Sequence, residues 1–206
     1  DKAISDLITQ NVLHPPRDET SATSATLLSG PAGTGKSTFI RELVKALRSA
    51  NPKKAVGSIA IICPTNKSVC NLVNEDEYMK KVTRTYASFF KCSFDILSED
   101  ESLKCRLVCC SEPQHDSSVN SVIECLCSED QFIYLDLDLL IVEEASMFNH
   151  QFYQLLERYR GIKTTLFVGD SNQIPPISVD CKQCLGCTFS VFRTNLPSWS
   201  FKEQKR

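Results

Sequence analysis

The chain has 206 residues, a net charge of -2, and apolar and charged fractions of 42% and 23%, which fit one soluble globular domain, or one domain with an insertion, large enough to bury a core. No apolar run approaches the ~20 residues of a membrane span, and the amino terminus lacks the basic-then-apolar pattern of a secretory signal, so the expectation is an intracellular protein with no membrane partner. The charge also excludes a global basic field, so any nucleic-acid contact has to come from local groups.

In chain order, Ile4 to Leu13 alternates apolar and polar positions at helical spacing until His14-Pro15-Pro16 stops the pattern. Gln10 lies here; its amide can both donate to and accept from an adenine edge, or simply occupy a solvated helix position. A polar linker, Asp18 to Ser24, leads to the apolar run Ala25-Thr26-Leu27-Leu28. Gly30-Pro31-Ala32-Gly33-Thr34-Gly35-Lys36-Ser37 follows, and then a helical pattern from Thr38 to Ala50. This is G-x-x-x-x-G-K-[ST] in the strand-loop-helix setting that the motif requires. Its glycines let backbone N–H groups turn inward on phosphate oxygens, and the helix adds the positive end of its dipole. Lys36, read as a solvated phosphate ligand, neutralises the β- and γ-phosphates, and Ser37 offers a hydroxyl to Mg²⁺. Residues Gly30 to Thr38 are therefore the candidate nucleotide-binding loop.

Ser58 to Cys63 reads as a strand buried on both faces. Pro64-Thr65-Asn66-Lys67-Ser68 then opens a short helix. Its donors suit a phosphodiester backbone, and Thr65 or Asn66 equally suits a helix cap. In Val82 to Phe90, Arg84 and Thr85 can hold phosphate, while Tyr86 and Phe89 are either base-stacking platforms or core. From about 91 to 137 periodicity is poor, and this stretch reads as an insertion.

Leu139-Leu140-Ile141-Val142 is a buried strand that runs into Glu143-Glu144-Ala145-Ser146. Carboxylates at the carboxyl end of a parallel strand sit where ligands bind in open α/β sheets. One can hold Mg²⁺, and the other can orient and deprotonate an attacking water. Asn149 to Arg160 reads as an amphipathic helix that Gly161 ends, and Thr164 to Val168 as the next strand, followed by the polar loop Gly169 to Pro176 with Gln173.

The eleven cysteines point, in an intracellular chain, to metal ligands, buried thiols or a tolerated bias more than to a disulfide framework. Cys181, Cys184 and Cys187 have Zn²⁺ or iron–sulfur spacing without a local fourth ligand; reduced, partly buried thiols are the other reading.

Together these pieces resemble the first RecA-like domain of superfamily 1 helicases. Gly30 to Ser37 resembles motif I, Pro64 to Leu72 motif Ia, Thr83 to Phe89 motif Ib, Glu143 to Ser146 motif II, and Gly169 to Pro176 motif III, with Thr188 to Phe192 similar to the helix after it. The fold implied is an α/β phosphate-loop NTPase with a parallel RecA-like sheet flanked by helices, forming one domain over residues 1–206. The resemblance implies ATP with Mg²⁺, and ATP hydrolysis coupled to movement on single-stranded RNA or DNA. It gives catalytic roles to Lys36, Glu144 and Gln173, adenine reading to Gln10, metal binding to Ser37 and Glu143, and strand contacts to Pro64, Thr65, Asn66 and Thr85. Glu143 stands where that family usually has aspartate and is one methylene longer. Motifs IV to VI are not in these residues, so the implied partner is a second RecA-like domain in cis, without which turnover is expected to be weak. A hydrolysis-deficient, nucleotide-dependent module that regulates a partner is the alternative function. A small-molecule kinase would share the phosphate loop and leave Gly169 to Pro176 unexplained.

Overall fold

The computed structural model describes residues 24–50, 58–90, 92–97, 104–109, 133–148, 152, 153, 156, 159–170, 172, 196 and 198–201. Gln10 and its helix, Gln173, Cys181, Cys184, Cys187 and the 188–192 segment lie outside the described residues.

The strands are β1 (Ser24–Ser29), β2 (Ile59–Cys63), β3 (Thr83–Thr85), β4 (Cys92–Leu97), β5 (Lys104–Cys109), β6 (Ile133–Val142), β7 (Tyr159–Gly169) and β8 (Ser198–Ser200). Six of them form one sheet in the order β3-β2-β6-β7-β1-β8, with every neighbouring pair parallel. β4 and β5 form a separate antiparallel pair, which the sequence had offered only as an insertion without periodicity. β6 begins at Ile133, so residues 133–137 of the stretch read as insertion belong to a strand of the main sheet.

Helices α1 (Lys36–Ala50), α2 (Asn66–Val73), α3 (Glu77–Val82) and α4 (Tyr86–Phe90) supply the flanking layers. Because side chains alternate along a strand, each central strand contributes to two cores. Leu28, Ile59, Ile61, Leu139, Ile141, Leu166 and Val168 meet Ile40, Leu43 and Leu47 of α1 and Leu72 and Met79 of α2 and α3. The intervening Leu27, Ala60, Ile62, Leu140, Val142 and Phe167 meet Phe90, Phe148, Phe152 and Tyr153 on the other side. All five residues of β2 are buried, as a strand covered on both faces requires. Each such Leu or Ile contributes about 1.5–3 kcal/mol by leaving water.

Two local expectations are corrected. Phe152, Tyr153 and Leu156 are helical, but β7 starts at Tyr159, so the helix does not run to Arg160. Gly161 does not end that helix; it lies inside β7 at φ +81°, where the β6–β7 register shifts between Tyr134 and Leu137. A β-carbon there would stand 2.2 Å from the Leu135 carbonyl oxygen, so close backbone approach at a bulge explains the glycine.

The parallel sheet gathers its strand carboxyl ends on one edge. Gly30 follows β1, Pro64 follows β2, Thr85 ends β3, Glu143 follows β6, and Asp170 follows β7. That edge is where open α/β sheets bind ligands.

Candidate functional site

The phosphate loop spans the turn between β1 and α1. Gly33 and Gly35 sit at φ +78° and +95°, where a β-carbon would meet nothing within 4 Å; they are required by backbone conformation alone. Gly30 is required by crowding instead: a β-carbon would lie 2.9 Å from that of Phe201. Thr34 is buried and donates its hydroxyl to the Pro31 carbonyl at 2.8 Å, which fixes the curl of the loop. The Phe39 amide donates to the Gly35 carbonyl at 2.8 Å and starts the helical ladder. The first turn of α1 carries no acidic residue, so nothing there opposes an anion at its positive end.

Lys36 departs from the solvated ligand expected. It is buried, and its Nζ donates to the carbonyls of Gly30 at 2.6 Å and Pro31 at 2.9 Å. The loop's own oxygens satisfy the ammonium.

Glu143 extends the β6 ladder, its amide donating to the Ile62 carbonyl at 2.9 Å. Its side chain is buried, and Oε2 has no hydrogen-bond partner among the described residues. Burial above all, then the Glu144 charge, pushes its carboxyl up to about 7, with the Lys36 ammonium acting the other way. The next residue, Glu144, occupies the left-handed region at φ 55°, a strained conformation for a side-chain-bearing residue. It starts the 3₁₀ turn Ala145–Met147, and that turn is tied down by Tyr153, whose hydroxyl donates to the Ala145 carbonyl at 2.8 Å. Burial raises the Tyr153 phenol well above its ordinary range, so it remains a donor. Burial, and then the same two carboxylates, push up the Cys63 thiol at the end of β2, which stays protonated.

These parts meet in a cleft of about 660 Å³ lined by Ala32 to Phe39, Glu42, Leu43, Glu143, Glu144 and Phe201. Lys36 is the one cation among the described residues lining it. A buried, unpartnered carboxylate oxygen and the Ser37 hydroxyl in the same cleft fit a hard, oxygen-preferring dication such as Mg²⁺. No cluster of three or more His, Cys, Asp or Glu with metal-holding geometry occurs among the described residues. Gly30 donates its amide to the Gly169 carbonyl at 3.1 Å, which places the start of the 169–176 loop against the phosphate loop; Asp170 there is buried.

The four residues expected to touch a strand lie at the ends of β2 and β3. Cys63 and Thr85 are in register. Pro64 and Thr85 are half-buried, and Thr65 and Asn66 exposed. The capping reading is realised: Thr65 Oγ1 accepts from the Ser68 amide at 3.1 Å, and Thr85 Oγ1 from the Ser88 amide at 3.3 Å. For the aromatics, the core reading is realised. Tyr86 meets Phe148 and Phe152 edge-on at 5.5 and 6.2 Å, and Phe89 meets Phe90 at 5.0 Å and Tyr159 at 6.2 Å.

Sequence reasoning missed two residues of the site. Tyr153 was hidden inside an amphipathic pattern where its hydroxyl gave no separate signal. Phe201 follows the three-residue β8, too short for a periodicity; its amide donates to the Ser29 carbonyl at 2.9 Å and its ring meets Phe39 edge-on at 6.2 Å.

Comparison with known proteins adds a family. Residues 17–179 match the family described as AAA domain. An uncharacterized protein of Methanocaldococcus jannaschii is 29% identical over 160 residues, which cover 73% of this chain and 11% of that protein, so the chain spans about a tenth of this relative's length. Among solved structures, the Pif1 helicase from Candida albicans is similar at 20% identity and a TM-score of 0.48, over 98% of this chain and 39% of that one. The PRRSV helicase is similar at 12% identity and a TM-score of 0.39, over 97% and 32%. No helix among the described residues is long and apolar enough to cross a membrane.

Proposed function

From the premise that the chain belongs to the AAA-domain family, we propose that it is a RecA-like domain of the superfamily 1 helicase kind, which binds and hydrolyses ATP in this cleft and couples hydrolysis to movement on single-stranded RNA or DNA. One observation carries the reading: the glycine loop, Lys36, and both carboxylates of the Glu143-Glu144 pair line a single cleft.

The loop amides and the α1 terminus receive the phosphates, and Lys36 exchanges the Gly30 and Pro31 carbonyls for the β- and γ-phosphate oxygens. Ser37 and Glu143, directly or through water, would hold Mg²⁺, which would supply positive charge against that of the phosphates. Glu144 takes a proton from the attacking water as its oxygen bonds to the γ-phosphorus and the bond to the β-phosphate oxygen breaks. Gln173 orients groups near the γ-phosphate, and Gln10 reads the adenine edge. Pro64, Thr65, Asn66 and Thr85 line the path of the strand on the same sheet edge. The charge that develops on the transferring phosphoryl group exceeds what Lys36 offsets, so a second RecA-like domain in cis supplies the missing arginine.

The test is ATP turnover with and without single-stranded RNA or DNA. The reading expects slow basal hydrolysis that depends on Mg²⁺ and on Lys36. Hydrolysis indifferent to Lys36→Ala would remove the cleft from the chemistry.

A further inference from the structure

A second cavity, of about 980 Å³, lies away from the phosphate loop along the β3 edge of the sheet. Register locates it. Arg84 is level with Ile62 near the carboxyl end of β2, whereas Ile59 at the other end of β2 and Lys45 and Arg48 late in α1 also line it. Four cations, Lys45, Arg48, Lys81 and Arg84, thus come from three elements to one cavity, in a chain whose net charge is -2.

Two acids share the cavity, so its four cations are in excess by two. Asp76 Oδ1 accepts from the amides of Tyr78 at 2.8 Å and Met79 at 3.1 Å as the cap of α3. Glu77 pairs with Lys80 at 2.5 Å. Lys45, Lys81 and Arg84 make no salt bridge among the described residues. Arg48 lies 4.8 Å over the Tyr78 ring, a stacked arrangement that keeps the guanidinium in place with its in-plane donors available. Asp76 and Glu77 offset part of this charge, and the positive charge that remains repels itself, a cost that an anion relieves. The cavity is larger than one phosphate needs, and its cations are distributed over a helix, a second helix and an edge strand. Arg84 is also the immediate neighbour of Thr85, one of the residues placed on the strand path.

We infer that the Lys45, Arg48, Lys81 and Arg84 cavity holds the phosphodiester backbone of a nucleic-acid strand that continues past Thr85 over the β3 edge. This rests on the nucleic-acid reading given under the proposed function. It adds a contact made by charge and not by base identity, so it binds RNA and DNA without sequence preference.

The test is fluorescence anisotropy of labelled oligo(dT) and oligo(rU) over a series of KCl concentrations, with the wild type, Lys81→Ala/Arg84→Ala, and the charge-conserving Lys81→Arg/Arg84→Lys as the control. Neutralising two phosphate contacts lowers the slope of log K against log salt by about 1.4 for a single strand. The alanine double variant should show that loss while ATP affinity is unchanged, and the charge-conserving variant should keep the wild-type slope. Since all these side chains are exposed, matching thermal melts should accompany the comparison. Strand binding by the wild type with the same slope in the alanine double variant overturns the inference and leaves the nucleic-acid reading standing. No strand binding by the wild type at any salt overturns both. If inorganic tripolyphosphate binds the wild type and not the alanine double variant while the oligonucleotides bind both equally, the cavity is a small-polyphosphate site and the strand contact is wrong.

Discussion

Lys36 Nζ donates to the carbonyl oxygen of Gly30 at 2.6 Å, so the phosphate loop is closed on its own first residue by the side chain meant for phosphate. Hydrogen bonds to a charged group contribute roughly 1.5–3 kcal/mol. Lys36→Ala is therefore expected to lower the stability of the nucleotide-free protein by about that amount, in addition to abolishing tight ATP binding. Urea unfolding without nucleotide checks this. An unchanged midpoint would mean that the ammonium is not held by the loop.

Glu143 gives a pH signature. Its carboxyl sits at about 7 in the fold against an ordinary 4.5, so the folded protein holds an extra proton between those values. That contribution is fully present below about 4.5 and is lost as pH rises through about 7. Glu143→Gln cannot ionise, so in the absence of divalent ions the variant should gain on the wild type across this window, by up to about 3 kcal/mol above it. Thermal melts in EDTA from pH 4 to 8 measure the gap, and a gap independent of pH would contradict the burial argument.

Tyr153→Phe removes the 2.8 Å donor and leaves the Ala145 carbonyl with the longer bond from the Phe148 amide alone, at 3.4 Å, a loss of about 0.5–1.5 kcal/mol. Because Ala145 follows Glu144, ATP turnover should fall while ATP affinity holds. Equal turnover in the variant would show that Glu144 is positioned without the tyrosine.

Gly161→Ala tests the bulge. The left-handed backbone costs roughly 1–2 kcal/mol for a residue with a β-carbon, and the Leu135 carbonyl leaves no room for one. A loss of at least about 2 kcal/mol is expected in chemical denaturation. A neutral result would mean that β6 and β7 adjust freely there.

The sequence made the four central strands β1, β2, β6 and β7 and the loop legible because their signals are local. Gly30 to Ser37 carries its conformational requirement in its spelling, and the short, β-branched apolar runs at Ile59 to Cys63 and Leu139 to Val142 read as strands covered on both faces. What escaped depends on distant pairing. Gly161 looks the same in sequence whether it ends a helix or admits the Leu135 carbonyl, and only the β6 register decides. The parallel pairing of β8 with β1 brings Phe201 against Gly30 across most of the chain length. Lys36 was recognised by type, but its burial comes from loop carbonyls that no spacing rule reports.

The central claim is that this cleft hydrolyses ATP with Glu144 as the base. It is tested most directly by measuring ATP affinity and turnover on the same preparations of wild type and Glu144→Gln with Mg²⁺ in excess. Positioned general-base catalysis is worth roughly 10²–10⁴-fold, so the variant should bind ATP as the wild type does and turn it over at least about 100 times more slowly. Equal turnover in the two proteins, or no ATP binding by the wild type, would contradict the account.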